Sequence, residues 1–308
     1  MSSPKAAARR PVDTRAALIM VVLCAVWGTQ QAIVKLAAAD MSPTLQMAFR
    51  SGVATLGVLI LARARGELRW FSRATLVPGM AIGLFFGLEF ACVGEALRYT
   101  SASHVTVYLY SAPILIAIGL GVMHRDERLH ALQWLGVLFS FAGIAVTFLG
   151  RGQPVQYPSM HWGDALALTG AMSWALTAIV LRGSNLANAP ATVTLAYQLI
   201  GAMVMAGTFA MIMGETAVRL TPGLAIALLW QVVVVAFASY LTWFALLRQY
   251  SSARLGVLSF MTPVFGVAGG VLLVGDHIDT GFGIGAAMIL GGIIFATTAR
   301  PLRVRQLA

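Results

Sequence analysis

Residues 16–39 read AALIMVVLCAVWGTQQAIVKLAAA, and the length of this apolar run decides the fold class. A helix rises about 1.5 Å per residue, so roughly 20 residues cross a hydrocarbon core of about 30 Å. The run contains Trp27, Gln30, Gln31 and Lys35, which makes it a poor signal-peptide core even though Ala37-Ala38-Ala39 imitates a cleavage site. It reads as a permanent transmembrane helix. Similar runs follow near 43–63, 75–98, 101–123, 129–150, 162–182, 190–213, 223–247, 253–274 and 279–298. They exceed what barrel strands need, and lipid-exposed backbone must satisfy its own hydrogen bonds, so the expectation is an all-α integral membrane protein with ten helices, numbered 1 to 10.

Composition agrees. Of 308 residues, 59% are hydrophobic and 10% charged, whereas a soluble domain carries about 25% charged residues. The net charge of +10 is gathered in short clusters between apolar runs, which excludes a nucleic-acid partner and reads as a topology signal. Placing both termini in the cytoplasm leaves only Arg98, Arg151 and Arg219 outside, with Lys35 and Arg50 inside helices 1 and 2. The expected location is the cytoplasmic membrane, spanned many times. Cys24 and Cys92 lie inside apolar runs without metal or redox spacing and read as small buried hydrophobes.

The halves resemble each other. Sliding the sequence by 147 residues lays Trp27 on Trp174, Lys35 on Arg182 and Pro43 on Pro190; sliding by 150 lays Arg98 on Arg248, Ser101 on Ser251, Pro113 on Pro263 and Asp126 on Asp276. A one-residue gap then lays Gly136 on Gly285 and Gly143 on Gly292. Polar and proline coincidences at a nearly constant offset indicate an internal repeat. Five helices per unit is an odd number, so the second unit enters the membrane from the opposite side. The expected division is a cytoplasmic tail 1–15, a first five-helix repeat 16–150, a second, inverted one 151–298, and a basic tail 299–308. Inverted repeats suit secondary transporters, whose similar halves exchange inward-open and outward-open states around a central site.

The pair Trp27-Gly28, Lys35, the stretch Pro43 to Arg50, the run Ala96-Leu97-Arg98-Tyr99-Thr100-Ser101-Ala102-Ser103, Pro113 and Glu127-Arg128-Leu129 resemble the drug/metabolite transporter superfamily. The match is to its ten-helix bacterial exporters of the EamA type, and Glu89 with the helix 4 tyrosines makes the chain most similar to the aromatic amino acid exporters. Gly275-Asp276-His277 departs from the Gly-Glu-Arg the family often carries there. The resemblance implies a basket of helices 1–4 and 6–9 around a central cavity, with helices 5 and 10 peripheral. It implies export of small amphipathic metabolites, with multidrug or other metabolite export as the alternative. Independently, helices 5 and 10 lack charge and carry Gly136, Ser140, Gly143, Gly281, Gly285 and Gly292, a pattern suited to close packing and to a homodimer through these helices.

Charges within hydrocarbon are expensive and mark a pathway or a partner. Counting about 1.5 Å per residue from the outer ends, Lys35 lies about 6 Å deep, Arg50 about 10 Å and Glu89 about 14 Å. Glu89 is either a cation, proton or substrate-ammonium site, or the structural partner of Arg50 or Lys35. Those two bases either draw a substrate carboxylate or, for Lys35, snorkel to the surface. Trp27, Gln31 and Lys35 share one face of helix 1. His104, Tyr108 and Ser111 align on helix 4, and Thr169, Ser173 and Thr177 align on helix 6 beside Trp174. The expected substrate-binding set is Trp27, Gln31, Glu89, Tyr108, Trp174, Tyr197 and Trp243, with Gln198 and Tyr240 nearby. Lys35, Arg50, Pro113 and Pro263 are expected to pair charges or gate, the prolines bending helices 4 and 9 near their midpoints.

Aromatic walls with few polar groups suit an amphipathic solute of amino-acid size. The five histidines form no metal motif or evident triad, which argues against a membrane-embedded enzyme. No phosphate-binding loop is present, so neither ATP nor another cofactor is expected. The expected partners are the lipid bilayer and a small-molecule substrate.

Overall fold

The computed structural model describes residues 13–123, 131–149, 157–250, 255 and 258–298. Most of the N-terminal tail, Glu127-Arg128-Leu129, Arg151 and the basic tail lie outside the described residues. The first four helices are α1 (Thr14–Leu36), α2 (Pro43–Ala64), α3 (Arg73–Tyr99) and α4 (Ala102–Met123), followed by α5 (Ala131–Leu149), α6 (Met160–Arg182) and α7 (Ala191–Ile212). α8 runs as Pro222–Leu229, a π-helical Trp230–Ser239 and Tyr240–Gln249; α9 as Thr262–Gly269 and a π-helical Gly270–Val274; α10 is Thr280–Thr298. Among the described residues seven helices are long and apolar enough to cross a bilayer, and shorter apolar helices cover Ala131–Thr147, Thr262–Val274 and Thr280–Ala296. The β pairing among the described residues is one isolated bridge, Met41 to Val218.

Local chemistry sets the helix ends. Asp13 Oδ1 accepts from the Ala16 amide at 2.8 Å, Ser42 Oγ from Leu45 at 3.2 Å, Ser101 Oγ from His104 at 3.1 Å and Thr221 Oγ1 from Leu224 at 3.1 Å. Each satisfies an amide that has no partner within its own helix. Pro43 and Pro222 occupy first-turn positions where no donor is needed. Gly214 and Gly275, with φ of 70° and 76°, leave α7 and α9 through the left-handed region.

The prolines act differently from the expected mid-helix bend. α4 is interrupted by a turn at Tyr110–Ser111, and Pro113 is the second residue of the segment that restarts at Ala112. The same break recurs in α9: a turn at Phe260–Met261, with Pro263 second in the segment from Thr262. A proline lacks the amide that would reach the carbonyl four residues back, so the helix breaks just before it instead of curving through.

Small and polar side chains are frequent in the interior beside larger ones such as Ile82, Leu199 and Phe282, while Leu56, Ile60, Val77, Leu138, Ile226 and Leu272 are turned outward. Lipid is as apolar as leucine, so burial alone does not drive these helices together, and close backbone approach does. A Cβ on Gly201 of α7 would fall on the Gly83 backbone of α3, and one on Gly28 of α1 would lie 2.5 Å from the Thr262 carbonyl oxygen of α9. α5 and α10 form a seam of their own. There Gly136 faces Gly292, Gly143 faces Gly285, and Ser140 Oγ donates to the Ile289 carbonyl at 2.9 Å. Of the glycines expected to suit close packing, Gly136, Gly143, Gly285 and Gly292 pack against one another within this chain.

A Cβ at Gly143 would meet the Gly285 carbonyl oxygen at 2.7 Å and the Ile289 nitrogen at 2.8 Å, both backbone atoms, whereas one at Gly291 meets only a Phe139 ring carbon at 3.9 Å. Gly143→Ala is therefore expected to destabilise by roughly 1–3 kcal/mol. Gly291→Ala, relieved of the glycine penalty, should be neutral or stabilising by up to about 1 kcal/mol. Thermal unfolding of both variants in detergent micelles checks the contrast, and equal effects would contradict the seam.

Candidate functional site

A cavity of about 490 Å³ lies between the helices, lined by residues of α1–α4 and α6–α8 and by Ser259 just before α9; among the described residues α5 and α10 contribute none. Its walls are aromatic. Trp27 meets Trp243 edge to face at 5.6 Å between ring centroids, and Tyr110 meets Trp174 the same way at 5.6 Å. Trp27 Nε1 donates to Ser239 Oγ at 2.8 Å, which fixes the indole where the π-helical segment of α8 ends. Phe86 and Phe90 stack at a tilt, 4.4 Å apart, on α3. Leu109 and Ser259, four residues before Pro113 and Pro263, both line the cavity, so the two helix breaks border it.

Glu89 reaches this wall with 6% of its surface exposed, and its Oε2 has no hydrogen-bond partner. Among the described residues it makes no ion pair. Arg50 is 1% exposed and does not line the cavity; its guanidinium lies 4.8 Å over the Phe90 ring, and Nη2 contacts Met47 Sδ at 3.1 Å. Lys35 is also off the cavity, beyond its outer end. Its Nζ donates to the Thr100 carbonyl and lies 4.3 Å over the Tyr157 ring.

Of the expected binding residues, Trp27, Gln31, Glu89, Trp174 and Trp243 line the cavity, as do Gln198 and Tyr240. Tyr108 and Tyr197 do not. The Tyr108 hydroxyl donates to Thr147 Oγ1 of α5 at 2.9 Å, and Tyr197 packs 5.2 Å from Phe71 and against Gly79. The helix 4 stripe faces neighbouring helices: His104 Nδ1 lies 3.0 Å from Asp164 Oδ1, with its ring stacked 4.0 Å from Phe282. Tyr110, Phe86, Phe90, Gln30 and Met47 line the cavity in addition. Tyr110 closes the first segment of α4 with its amide still bonded to the Thr106 carbonyl, and it shares the cavity face with Thr106 four residues before it.

The cavity reaches Leu181, Thr194 and Leu195, close to where α6 ends and α7 begins. The opposite end is clasped. Asp40 Oδ1 accepts from Arg219 Nε at 2.7 Å and Oδ2 from Thr221 Oγ1 at 2.6 Å; Glu215 pairs with Arg98, which also bonds Glu95 at 3.0 Å. Beneath these, Gln231 Nε2 donates to Gln46 Oε1 at 2.9 Å, and Gln46 Nε2 donates to the Met41 and Val34 carbonyls. Further in, Thr100 Oγ1 donates to Asp164 at 2.7 Å, and Ser103 donates through Oγ to Asp276 at 2.8 Å. Among the described residues no group of His, Cys, Asp and Glu is placed to hold a metal ion.

A family model described as the EamA-like transporter family matches residues 14–149 and 161–298. A Salmonella typhimurium protein named "Probable amino-acid metabolite efflux pump" is 26% identical over 90% of this chain and 92% of its own length. Its Escherichia coli namesake is 25% identical with the same coverage. A Bacillus subtilis protein, "Uncharacterized transporter YvbV", is 24% identical over 92% of both chains. A solved structure titled "Crystal structure of protein" superposes with a TM-score of 0.63 at 23% identity, covering 93% of this chain and 97% of that one, a likeness of fold.

Two measurements test this geometry. With no ion pair to lose, Glu89→Gln should leave the melting temperature in micelles equal or higher, since a buried unpaired charge is costly; a fall of several degrees would reveal a partner. The Thr221 hydroxyl first, then Arg219, hold the Asp40 carboxyl below its ordinary value of 3.8. A depressed carboxyl stabilises above the unfolded pKa and loses that contribution as pH falls through the folded one. The difference in melting temperature between the native protein and Asp40→Asn should therefore stay constant from about pH 8 to pH 5 and shrink only below 3.8.

Proposed function

The chain belongs to the EamA-like transporter family and is a multi-pass membrane transporter, not an enzyme. From that premise we propose that it exports small amphipathic solutes across the cytoplasmic membrane by alternating access, amino acids with aromatic or other apolar side chains first among them. The carrying observation is the aromatic cavity with a single carboxylate, reached by helices from both halves of the chain. About 490 Å³ falls within the range of small-molecule sites, and its few polar groups fit an amphipathic solute better than a sugar.

The reading takes the chain as ten spans in two inverted five-helix repeats, with both termini cytoplasmic. Several features support it. The family model matches each half separately. The helix breaks fall at 110–111 and 260–261, the same offset that lays Pro113 on Pro263. In the seam, Gly136 contacts Gly292 while Gly143 contacts Gly285. If Gly136 corresponds to Gly285 and Gly143 to Gly292, these contacts are one pair repeated about a two-fold axis, as isologous contacts require. Ser140 then bonds its own counterpart, Ile289, on that axis.

Under this reading Trp27 and Trp174 are equivalent residues on opposite walls, joined around the solute by Glu89 and Gln31. The cavity extends toward the cytoplasmic end, and the Asp40–Arg219 and Arg98–Glu215 pairs close the outer end. Export requires these pairs to part while the inner contacts form, with the breaks before Pro113 and Pro263 as the hinges. The inner end already has two such contacts: the Tyr250 hydroxyl donates to Asp13 at 2.9 Å, and Thr192 donates to Glu67 at 2.5 Å.

Purified protein in liposomes should take up labelled phenylalanine or tryptophan saturably and be accelerated by unlabelled solute on the far side. Trp27→Ala and Trp174→Ala should each lower that exchange at least tenfold. Flux linear in concentration and indifferent to solute on the far side would identify a pore instead.

A further inference from the structure

The charges around the cavity are lopsided. Glu89 is the one carboxylate on its wall, and no lysine, arginine or histidine joins it there among the described residues. Neither intramembrane base lines the cavity. Arg50 lies behind the wall, 4.8 Å over the Phe90 ring and against Met47 Sδ, with Nη1 unbonded; its charge is felt at Glu89 but forms no ion pair with it, and Lys35 is engaged by the Thr100 carbonyl and Tyr157. The same cavity is lined by aromatic rings: Trp27, Trp174, Trp243, Tyr110, Tyr240 and Phe86. Glu89 Oε2 has no hydrogen-bond partner and is nine-tenths buried, an acceptor held ready without a donor.

Such a surface attracts an ammonium group twice, through the carboxylate and through the negative faces of the rings. For a carboxylate it provides nothing comparable. Gln30, Gln31 and Gln198 supply neutral amides, and the Trp27 N–H is already donated to Ser239. A desolvated carboxylate with only neutral donors beside an anionic wall is penalised.

We propose that the protonated amine is the group the cavity recognises and that the carboxylate of an amino acid is dispensable, so that arylalkylamine monocations are preferred over the corresponding zwitterions and aryl carboxylic acids are rejected. The proposal rests on the cavity being the solute site and adds to that reading which end of the solute is read. It assigns Glu89 as the determinant of charge selectivity.

The test uses three solutes that share one phenyl body: 2-phenylethylamine, L-phenylalanine and 3-phenylpropionate. Binding to the full chain in nanodiscs at neutral pH is followed by the intrinsic fluorescence of the lining tryptophans, which avoids passive permeation of the amine. The expected result is that the amine binds at least tenfold tighter than phenylalanine and that the acid shows no saturable binding. Glu89→Gln should weaken amine binding at least tenfold and erase the preference, while Glu89→Asp, which keeps the charge, should retain it. The comparison of solutes on the unaltered protein stands even if a variant fails to fold. Equal or tighter binding of phenylalanine or the acid overturns the proposal, as does a folded Glu89→Gln protein with unchanged amine affinity. If phenylalanine is exchanged across liposomes while the amine neither binds nor competes, this proposal falls and the transport reading stands. If none of the three binds or is exchanged, both fall.

Discussion

Helices in hydrocarbon have no excess of apolar burial to gain from one another, so the whole arrangement depends on how closely their backbones approach. That approach is set where side chains are missing. The Gly83 backbone touches Gly201, Gly28 lies on the Thr262–Gly266 backbone, and the α5–α10 seam runs through Gly136, Gly143, Gly285 and Gly292. Where these contacts close, dispersion and short polar bonds such as Ser140 to Ile289 add up over a continuous surface. Where the helices diverge, a volume is left over, and that volume is the cavity. Tight seams and an open centre are two results of one distribution of small residues.

Charge follows a parallel logic. At the end of the bundle away from Leu181 and Thr194 acids and bases meet: Asp40 with Arg219, Glu215 with Arg98. The two arginines are exposed to solvent, where an ion pair contributes little and is parted at low cost. In the centre, Glu89 and Arg50 are both buried and form no ion pair, and Glu89 Oε2 and Arg50 Nη1 each have no hydrogen-bond partner. Under the proposed alternating access, the inexpensive interactions would hold the end that has to open, and the expensive, unsatisfied group would stand where the solute is received.

The helical membrane architecture was legible because bilayer thickness imposes one length on every span, and runs such as residues 16–39 meet it without ambiguity. Trp27, Gln31, Glu89, Trp174 and Trp243 could be placed on the cavity because a polar or amphipathic residue deep in an apolar helix has to face inward. Inward, however, has two meanings in a bundle. Tyr108 and His104 also avoid lipid, yet they turn to Thr147 and Asp164 on neighbouring helices and not to the cavity. Periodicity separates lipid from protein and cannot separate a seam from a pocket. Tyr110 was missed because the polar stripe of α4 runs through His104, Tyr108 and Ser111, whereas its cavity face carries Thr106 and, four residues on, Tyr110. Depth alone left Lys35 and Arg50 open between pairing and drawing a solute carboxylate, and what engages them in the structure is a backbone carbonyl and a phenyl ring contributed by other helices.

The bond from Ser140 to position 289 ends on a main-chain carbonyl, not on a side chain, and the facing glycines likewise offer only main chain. A joint of this kind fixes the serine that donates and the glycines that leave room, while the carbonyl at position 289 is one every amino acid brings. If the halves are the repeats proposed above, a joint of this kind lets them drift apart in spelling while their relative placement is preserved, leaving a scattering of glycines, prolines and tryptophans at a shared spacing.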